Sequence, residues 1–162
     1  MARRLRPVGL DFIEDAQIRL VFAAEVAAAP EDVYQALAEE VEGWPRWFKA
    51  VSLARPTHGG AGREIKLLGG VRFEETVMAA DPEQRYAYRV DTTNVPGVRA
   101  LLEEWRLTPA GSGTHVRWTF AADGPTPFRF ALTAARPALG HSFRQAVRAL
   151  DARLAARRAA DQ

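Results

Sequence analysis

The sequence predicts an α+β fold, in which a curved antiparallel sheet of seven strands wraps around one long C-terminal helix. One observation behind this prediction is an apolar stripe at helical spacing, formed by Leu139, Phe143, Val147, Leu150 and Leu154. Another is a series of short runs joined by hairpin-like turns, which favour antiparallel pairing. A sheet that curls around a single helix buries the helix's apolar stripe and tends to leave a pocket between the two elements.

The first strand and the helical region after it come early in the chain. The strand is predicted over Gln17–Val26, where alternate residues are apolar. A short helix begins at Pro30, with acidic residues in its first turn, and Gly43 interrupts it. The aromatic run Trp44–Phe48 then predicts a turn that seats these short helices against the sheet.

Six further strands and the long helix follow without an internal repeat or linker. Gly69 and Gly70 between two of the strands are typical of a two-residue hairpin loop. The long helix is predicted over Pro137–Arg158, a length of roughly 30 Å at 1.5 Å per residue. The predicted strands are Lys49–Arg55, Arg63–Leu68, Val71–Ala80, Gln84–Asp91, Val98–Thr108 and Thr114–Ala121.

Length and composition limit the classes of function. A chain of 162 residues fits one domain, and we predict a flexible N-terminal arm over residues 1–15 followed by a single ligand-binding domain over residues 16–162. The chain has no cysteine, which excludes disulfides, thiolate metal sites and cysteine nucleophiles. Its three histidines are far apart and lack metal-ligand spacing, so we expect no metal and no cofactor.

Charge and hydropathy indicate where the protein works. The net charge is only +2, and arginine replaces lysine almost throughout. The arginines of the predicted C-terminal helix scatter around it and are best explained as a solvated face, so we expect no nucleic-acid partner. No apolar run has the length of a signal peptide or a membrane span. The expectation is a cytoplasmic protein that is a monomer or a homodimer.

Several short motifs, taken in order, resemble one known family. They are Ala29–Tyr34, Trp44-Pro45 with Trp47-Phe48, Gly69-Gly70 before Phe73–Glu75, Glu104–Leu107, and Gly113-Thr114 before Val116–Trp118. Together they resemble the START-like or Bet v 1-like (SRPBCC) superfamily, specifically its polyketide cyclase/dehydrase branch, over roughly residues 16–157. The resemblance implies the helix-grip fold, in which a seven-stranded sheet and a long C-terminal helix enclose a ligand cavity.

The resemblance carries less information about catalysis. Aromatase/cyclases of this family are thought to use a tyrosine just after the tryptophan–proline turn, with a serine and an arginine on a central strand. These positions fall on Val51, Thr76 and Met78 in this chain. The family's catalytic residues are therefore not matched, and many relatives simply bind apolar molecules.

Glu75 is the candidate catalytic residue. In the strand Val71–Ala80, the odd positions form the more apolar face, so Glu75 should point into the cavity. A carboxyl group in apolar surroundings can serve as a general acid or a ligand anchor. The alternatives are a register shift, which would turn Glu75 outward, or an ion pair between Glu75 and an arginine.

Aromatic and apolar residues complete the predicted site. Tyr86 and Tyr88 share one strand face, and Trp105 and Trp118 lie on neighbouring strands of a predicted hairpin. Core packing explains these four residues at least as well as a role in binding. The predicted ligand-binding set is Phe73, Glu75, Val77, Tyr86, Tyr88, Trp105, Trp118, Phe143 and Val147.

Three functions are compatible with these observations. The leading one is binding of a small apolar or aromatic molecule, polyketide- or lipid-like, between the sheet and the C-terminal helix. The second is a cofactorless polyketide cyclase or dehydratase that uses general acid–base catalysis. The third is a partner or stress-response module whose pocket is collapsed. An open cavity with converging polar groups favours the enzyme, an apolar cavity favours the carrier, and a filled core favours the module.

Overall fold

The structure, a computed structural model, describes residues 1–162 and contains one antiparallel sheet. The strands are β1 (Arg3–Arg4), β2 (Ile18–Val26), β3 (Val51–Thr57), β4 (Gly62–Leu67), β5 (Arg72–Asp81), β6 (Arg85–Thr93), β7 (Ala100–Ala110) and β8 (Gly113–Asp123). Seven of them follow one another in the order β2-β8-β7-β6-β5-β4-β3, and the short β1 pairs with β6. The predicted seven-stranded helix-grip sheet is therefore confirmed.

The helices lie at the two chain ends and after β2. They are α1 (Phe12–Asp15), α2 (Pro30–Tyr34), α3 (Thr126–Ala134) and α4 (Arg136–Ala160). A π-helical turn (Gln35–Glu39) and a 3₁₀ turn (Val41–Arg46) extend α2, and a 3₁₀ turn (His58–Gly60) joins β3 to β4. The sequence does not predict helix α3, because the two prolines at its start, Pro125 and Pro127, are also typical of a connection between elements. Pro127 instead lies in the first turn of α3, where its missing N–H costs nothing.

Helix α4 is part of the core, as its stripe predicts. Phe143, Val147, Leu150 and Leu154 are all at most 5% exposed, and the helix packs on β2. Its Asp151 accepts hydrogen bonds from the backbone N–H groups of Ala27, at 3.1 Å, and Ala28, at 3.0 Å. Leu139, at the start of the stripe, is only half-buried.

The N-terminal segment lies on the outer face of the sheet. Residues 3–4 pair with β6, and Phe12 and Ile13 are buried against Ala100, Leu102 and Ala121. In the segment for which the sequence predicts a flexible arm, the apolar residues cover outward-facing apolar positions of β7 and β8. No helix in the structure combines the length and the apolar character that crossing a bilayer requires.

The run of aromatic residues after α2 packs onto the inner face of the sheet. The ring centroids of Trp44 and Trp47 are 4.9 Å apart, and Trp44 meets Trp105 edge-on at 5.8 Å. Trp44 Nε1 donates to the carbonyl of Leu37, so its polar atom is satisfied in the core. The aromatic turn therefore seats the short helical turns on the sheet and closes one side of the interior.

Candidate functional site

A cavity of about 470 Å³ lies between the sheet and the corner formed by α3 and α4. Fifteen of its nineteen lining residues are hydrophobic, so most of its wall favours an apolar ligand. The remaining four lining residues are Arg63, Glu75, Glu103 and Ser142.

The cavity has an apolar mouth and a polar floor. Half-buried apolar residues from the β4–β5 hairpin, the β6–β7 connection and the α3–α4 corner mark the end nearest to solvent. These residues are Leu67, Val71, Val95, Leu132, Ala135 and Leu139. The floor consists of residues that are at most 7% exposed: Arg63, Glu75, Tyr88 and Glu103. The end of a ligand that enters the cavity first therefore comes to lie next to the charged groups of the floor.

Arg63 and Glu75 form a buried ion pair in the floor. They are cross-strand partners on β4 and β5, and Arg63 Nε donates to Glu75 Oε2. The guanidinium carbon lies 3.7 Å from the ring centroid of Tyr88 and 4.5 Å from that of Trp44. Nη1 of Arg63 is fully buried and donates no hydrogen bond to the protein. The aromatic rings partly compensate for this missing acceptor.

Glu103 is the second buried carboxyl group of the floor. Its Oε1 accepts hydrogen bonds from Tyr88 Oη, at 3.2 Å, and from Trp118 Nε1, at 2.9 Å. Trp105 Nε1 donates to Tyr88 Oη at 3.1 Å, which directs the tyrosine proton toward Glu103. Oε2 of Glu103 accepts no hydrogen bond from the protein. This oxygen is therefore free to interact with a ligand.

Burial changes the proton affinity of the floor. It raises the pKa of Glu103 to about 7; the nearby Glu75 adds to this shift and Arg63 opposes it. Burial also raises the pKa of Glu75, although the Arg63 guanidinium opposes that shift. The pKa of Tyr88 lies well above its ordinary value, because of burial first and Glu103 second. Glu75 and Glu103 are therefore the two carboxyl groups of the floor whose pKa values are raised, and only Glu75 is hydrogen-bonded to a cation.

The structure brings together four of the nine residues predicted to bind a ligand. Phe73, Glu75, Tyr88 and Trp118 line the cavity. Two of the three arrangements considered for Glu75 occur together, since it faces the cavity and pairs with an arginine. The sheet register does shift between Glu74 and Glu75, but the shift does not turn Glu75 outward.

The other five predicted residues lie elsewhere. Val77 and Tyr86 line a separate, more polar groove of about 690 Å³ beside the turns that follow α2. Val77 stays in register with Glu75 and faces the same side of β5, but it lies further along the strand, toward the turns that follow α2. The remaining three residues belong to the core and are at most 2% exposed: Trp105, Phe143 and Val147. Helix α4, which carries Phe143 and Val147, borders the cavity only with Leu139 and Ser142.

Sequence reasoning missed Arg63 and Glu103, although the signal for both is present. Arg63 alternates with Ile65 and Leu67 on β4, and Glu103 alternates with Trp105 on β7. A charged residue in phase with apolar neighbours is the pattern that singled out Glu75.

The positions at which the family's catalytic serine and arginine were expected do not line the cavity. Thr76 donates a hydrogen bond to Asp91, and Met78 packs with the apolar cluster around Phe12 on the outer face. Val51, at the expected tyrosine position, does line the cavity but offers no polar group. Any chemistry in this cavity has to use other residues.

Comparison with known proteins places the chain among similar sequences and folds. A family described as polyketide cyclase / dehydrase and lipid transport matches residues 17–155. An uncharacterised protein of Mycobacterium tuberculosis is 32% identical over 158 residues, which cover 92% of this chain and 94% of that protein. A START superfamily protein from Mycobacterium smegmatis has a TM-score of 0.65 at 14% identity, with 83% of this chain and 95% of that chain covered. The structure of Ara h 8.0201 has a TM-score of 0.64 at 11% identity, with 86% and 98% covered.

Proposed function

Because the chain belongs to the polyketide cyclase/dehydrase and lipid transport family, within the START-like/Bet v 1-like superfamily that its motifs resemble, we propose that it binds a small apolar or aromatic molecule in the cavity. The observation that carries this proposal is the cavity itself, whose volume of about 470 Å³ lies in the usual range for small-molecule sites. Its mouth is apolar, and its floor offers a few converging polar groups that can orient a ligand.

The energetics also favour an apolar ligand. Transfer of apolar surface from water into the cavity contributes about 25 cal/mol per Å². Aromatic residues line the inner wall, among them Trp44, Phe48 and Trp118, and their flat faces suit stacking against a planar ligand. An open space of this size also argues against a module with a filled core.

Filling the mouth of the cavity should weaken ligand binding. We expect the natural protein to bind the neutral fluorescent probe N-phenyl-1-naphthylamine saturably, and Leu139→Trp to weaken this binding at least tenfold, because the larger side chain occupies the mouth. A matched control is Ala149→Trp, which places the same side chain on an exposed position of α4. Probe fluorescence titration measures both variants. Equal affinity in the natural protein and in Leu139→Trp would place binding outside this cavity.

A second candidate is a cofactorless cyclase or dehydratase, and Glu103 is the observation that favours it. A general acid–base works best when its pKa is close to the working pH, and the pKa of Glu103 is about 7. Its free Oε2 can accept a proton from the carbon next to a substrate carbonyl and return it to a departing hydroxyl, which leaves as water. Glu75, the candidate from the sequence, is held by Arg63 and is less suited to this exchange.

This candidate is tested in a turnover assay with aromatic β-hydroxy ketones, whose hydroxyl group can leave as water. If the protein is an enzyme, Glu103→Gln should lower kcat by about 10²–10⁴-fold, while affinity for the neutral probe stays unchanged, because glutamine keeps the acceptor for Tyr88 and Trp118. The comparison variant is Glu75→Gln. A larger loss of kcat in Glu75→Gln than in Glu103→Gln would return the catalytic role to Glu75. Absence of turnover in the natural protein would contradict the enzyme and leave binding as the function.

A further inference from the structure

The charges of the cavity floor do not balance when every group is ionised. Arg63 and Glu75 neutralise each other through their hydrogen bond. Glu103 has no cationic partner of its own, because both groups that donate to it, Tyr88 and Trp118, are neutral. With Glu103 ionised, the floor therefore carries one net negative charge in a buried environment.

Some polar atoms of the floor also lack a hydrogen-bond partner. Nη1 of Arg63 is a buried donor without an acceptor, and Oε2 of Glu103 is an acceptor without a donor. A buried guanidinium with unused donors favours a ligand that brings an oxygen acceptor. A ligand carboxylate would bring such an oxygen, but it would also add a second uncompensated charge beside Glu75 and Glu103.

From these two observations we infer that the floor selects apolar ligands that end in a neutral carbonyl oxygen, and accepts an anionic ligand only together with a proton on Glu103. This inference rests on the proposed binding function and specifies its ligand class. The carbonyl oxygen accepts from the Arg63 guanidinium, while the apolar body of the ligand fills the mouth side of the cavity.

Proton uptake is assigned to Glu103 after considering every charged or titratable group that faces it. Strand β4 contributes Arg63, β5 contributes Glu75, and β6 contributes Tyr88. Strand β8 contributes the neutral Trp118, and α4 borders the cavity with Leu139 and Ser142, which carry no charge. Arg63 and Tyr88 keep their protons throughout the neutral range, since the pKa of each is raised. Burial raises the pKa of Glu75 as well, but the hydrogen bond from the Arg63 guanidinium favours its ionised form, whereas Glu103 accepts only from neutral donors. The pKa of Glu103 is about 7, so it becomes neutral as the pH falls through that value.

Three probes of nearly equal shape test the selection. They are 2-acetylnaphthalene, which is a neutral ketone, 2-isopropylnaphthalene, which lacks the oxygen, and 2-naphthoate, which is anionic between pH 6 and pH 8. Each displaces N-phenyl-1-naphthylamine from the natural protein in a fluorescence titration. We expect the ketone to bind about tenfold more tightly than the hydrocarbon, as one hydrogen bond to a charged donor allows. Naphthoate should bind more weakly than the ketone at pH 8 and gain affinity toward pH 6.

Two variants separate the contribution of the Arg63–Glu75 pair to ligand binding from that of Glu103. The double variant Arg63→Met with Glu75→Met removes both charges together, which leaves no unpaired ion, and should bind the ketone and the hydrocarbon equally well. Glu103→Gln should bind naphthoate with the same affinity at pH 6 and pH 8.

The outcomes distinguish the inference from the proposed function. Equal binding of ketone and hydrocarbon by the natural protein would overturn the carbonyl selection while binding in the cavity stands. Naphthoate binding that matches the ketone at pH 8, or that keeps its pH dependence in Glu103→Gln, would overturn the proton linkage. Failure of every neutral probe to bind would overturn the inference together with the proposed function.

Discussion

Replacement of Arg63 by methionine is expected to lower the free energy of unfolding by about 3–5 kcal/mol, because it leaves the carboxylate of Glu75 buried without its partner. The side chains of both residues are at most 2% exposed, so water cannot replace the lost interaction. The loss should shrink as the pH falls, since the unpaired Glu75 becomes neutral by taking up a proton. Its folded pKa then lies further above the unfolded value, and stability that is present at low pH is lost as the pH rises. Urea denaturation at several pH values measures both effects.

Two controls make this prediction specific to the buried pair. The double variant Arg63→Met with Glu75→Met should be close to the natural protein in stability, because methionines of similar volume replace an ion pair whose burial is costly. Arg55→Met breaks an ion pair with Glu64 in which Arg55 is 61% exposed, and should cost less than about 1 kcal/mol. A loss in Arg63→Met no larger than that in Arg55→Met would show that the buried pair does not stabilise the fold.

Deletion of residues 137–162 is expected to abolish cooperative unfolding altogether. The deleted segment buries Phe143, Val147, Leu150 and Leu154, each worth about 1.5–3 kcal/mol when fully buried. Their sum approaches or exceeds the usual net stability of a domain, even though the unfolded chain already hides part of this surface. Thermal unfolding followed by circular dichroism is the measurement. Deletion of the exposed residues 159–162 alone should leave a sharp transition, and a sharp transition in the long deletion would show that α4 is not part of the core.

The architecture was predictable because each element carries its own period. The stripe of α4 recurs every three or four residues, and the strands alternate and are separated by glycine-rich turns. Helix α3 was not predicted, since the rule that prolines begin a connection and the rule that prolines begin a helix apply equally well to Pro125 and Pro127. The packing of the N-terminal segment could be predicted only in part. Its apolar residues are few, and their partners lie on the outer face of the sheet, which the sequence alone does not assign.

The site was predictable only in part, and the reason is physical. Glu75 stood out because it interrupts an apolar face, and the structure places it in the cavity wall. Arg63 and Glu103 interrupt apolar faces in the same way, but arginine and glutamate in strands are more often solvent-exposed. Their burial depends on each finding partners on other strands: Glu75 for Arg63, and Tyr88 with Trp118 for Glu103. Val77 lies on the predicted face but outside the cavity, because alternation assigns the face of a strand and not how far along the strand a cavity extends.

The two hydrogen bonds of Asp151 have a consequence for the order in which this protein folds. They join a residue near the end of the chain to backbone groups 124 and 123 residues earlier, and β2 pairs with β8 across a similar separation. Contacts between such distant segments close large loops and slow the folding of a domain. During synthesis, the apolar face of the edge strand β2 therefore stays uncovered until β8 and α4 have been made and can pack against it. The long wait makes β2 the segment most exposed to aggregation, and the first place where a chaperone would be expected to bind the nascent chain.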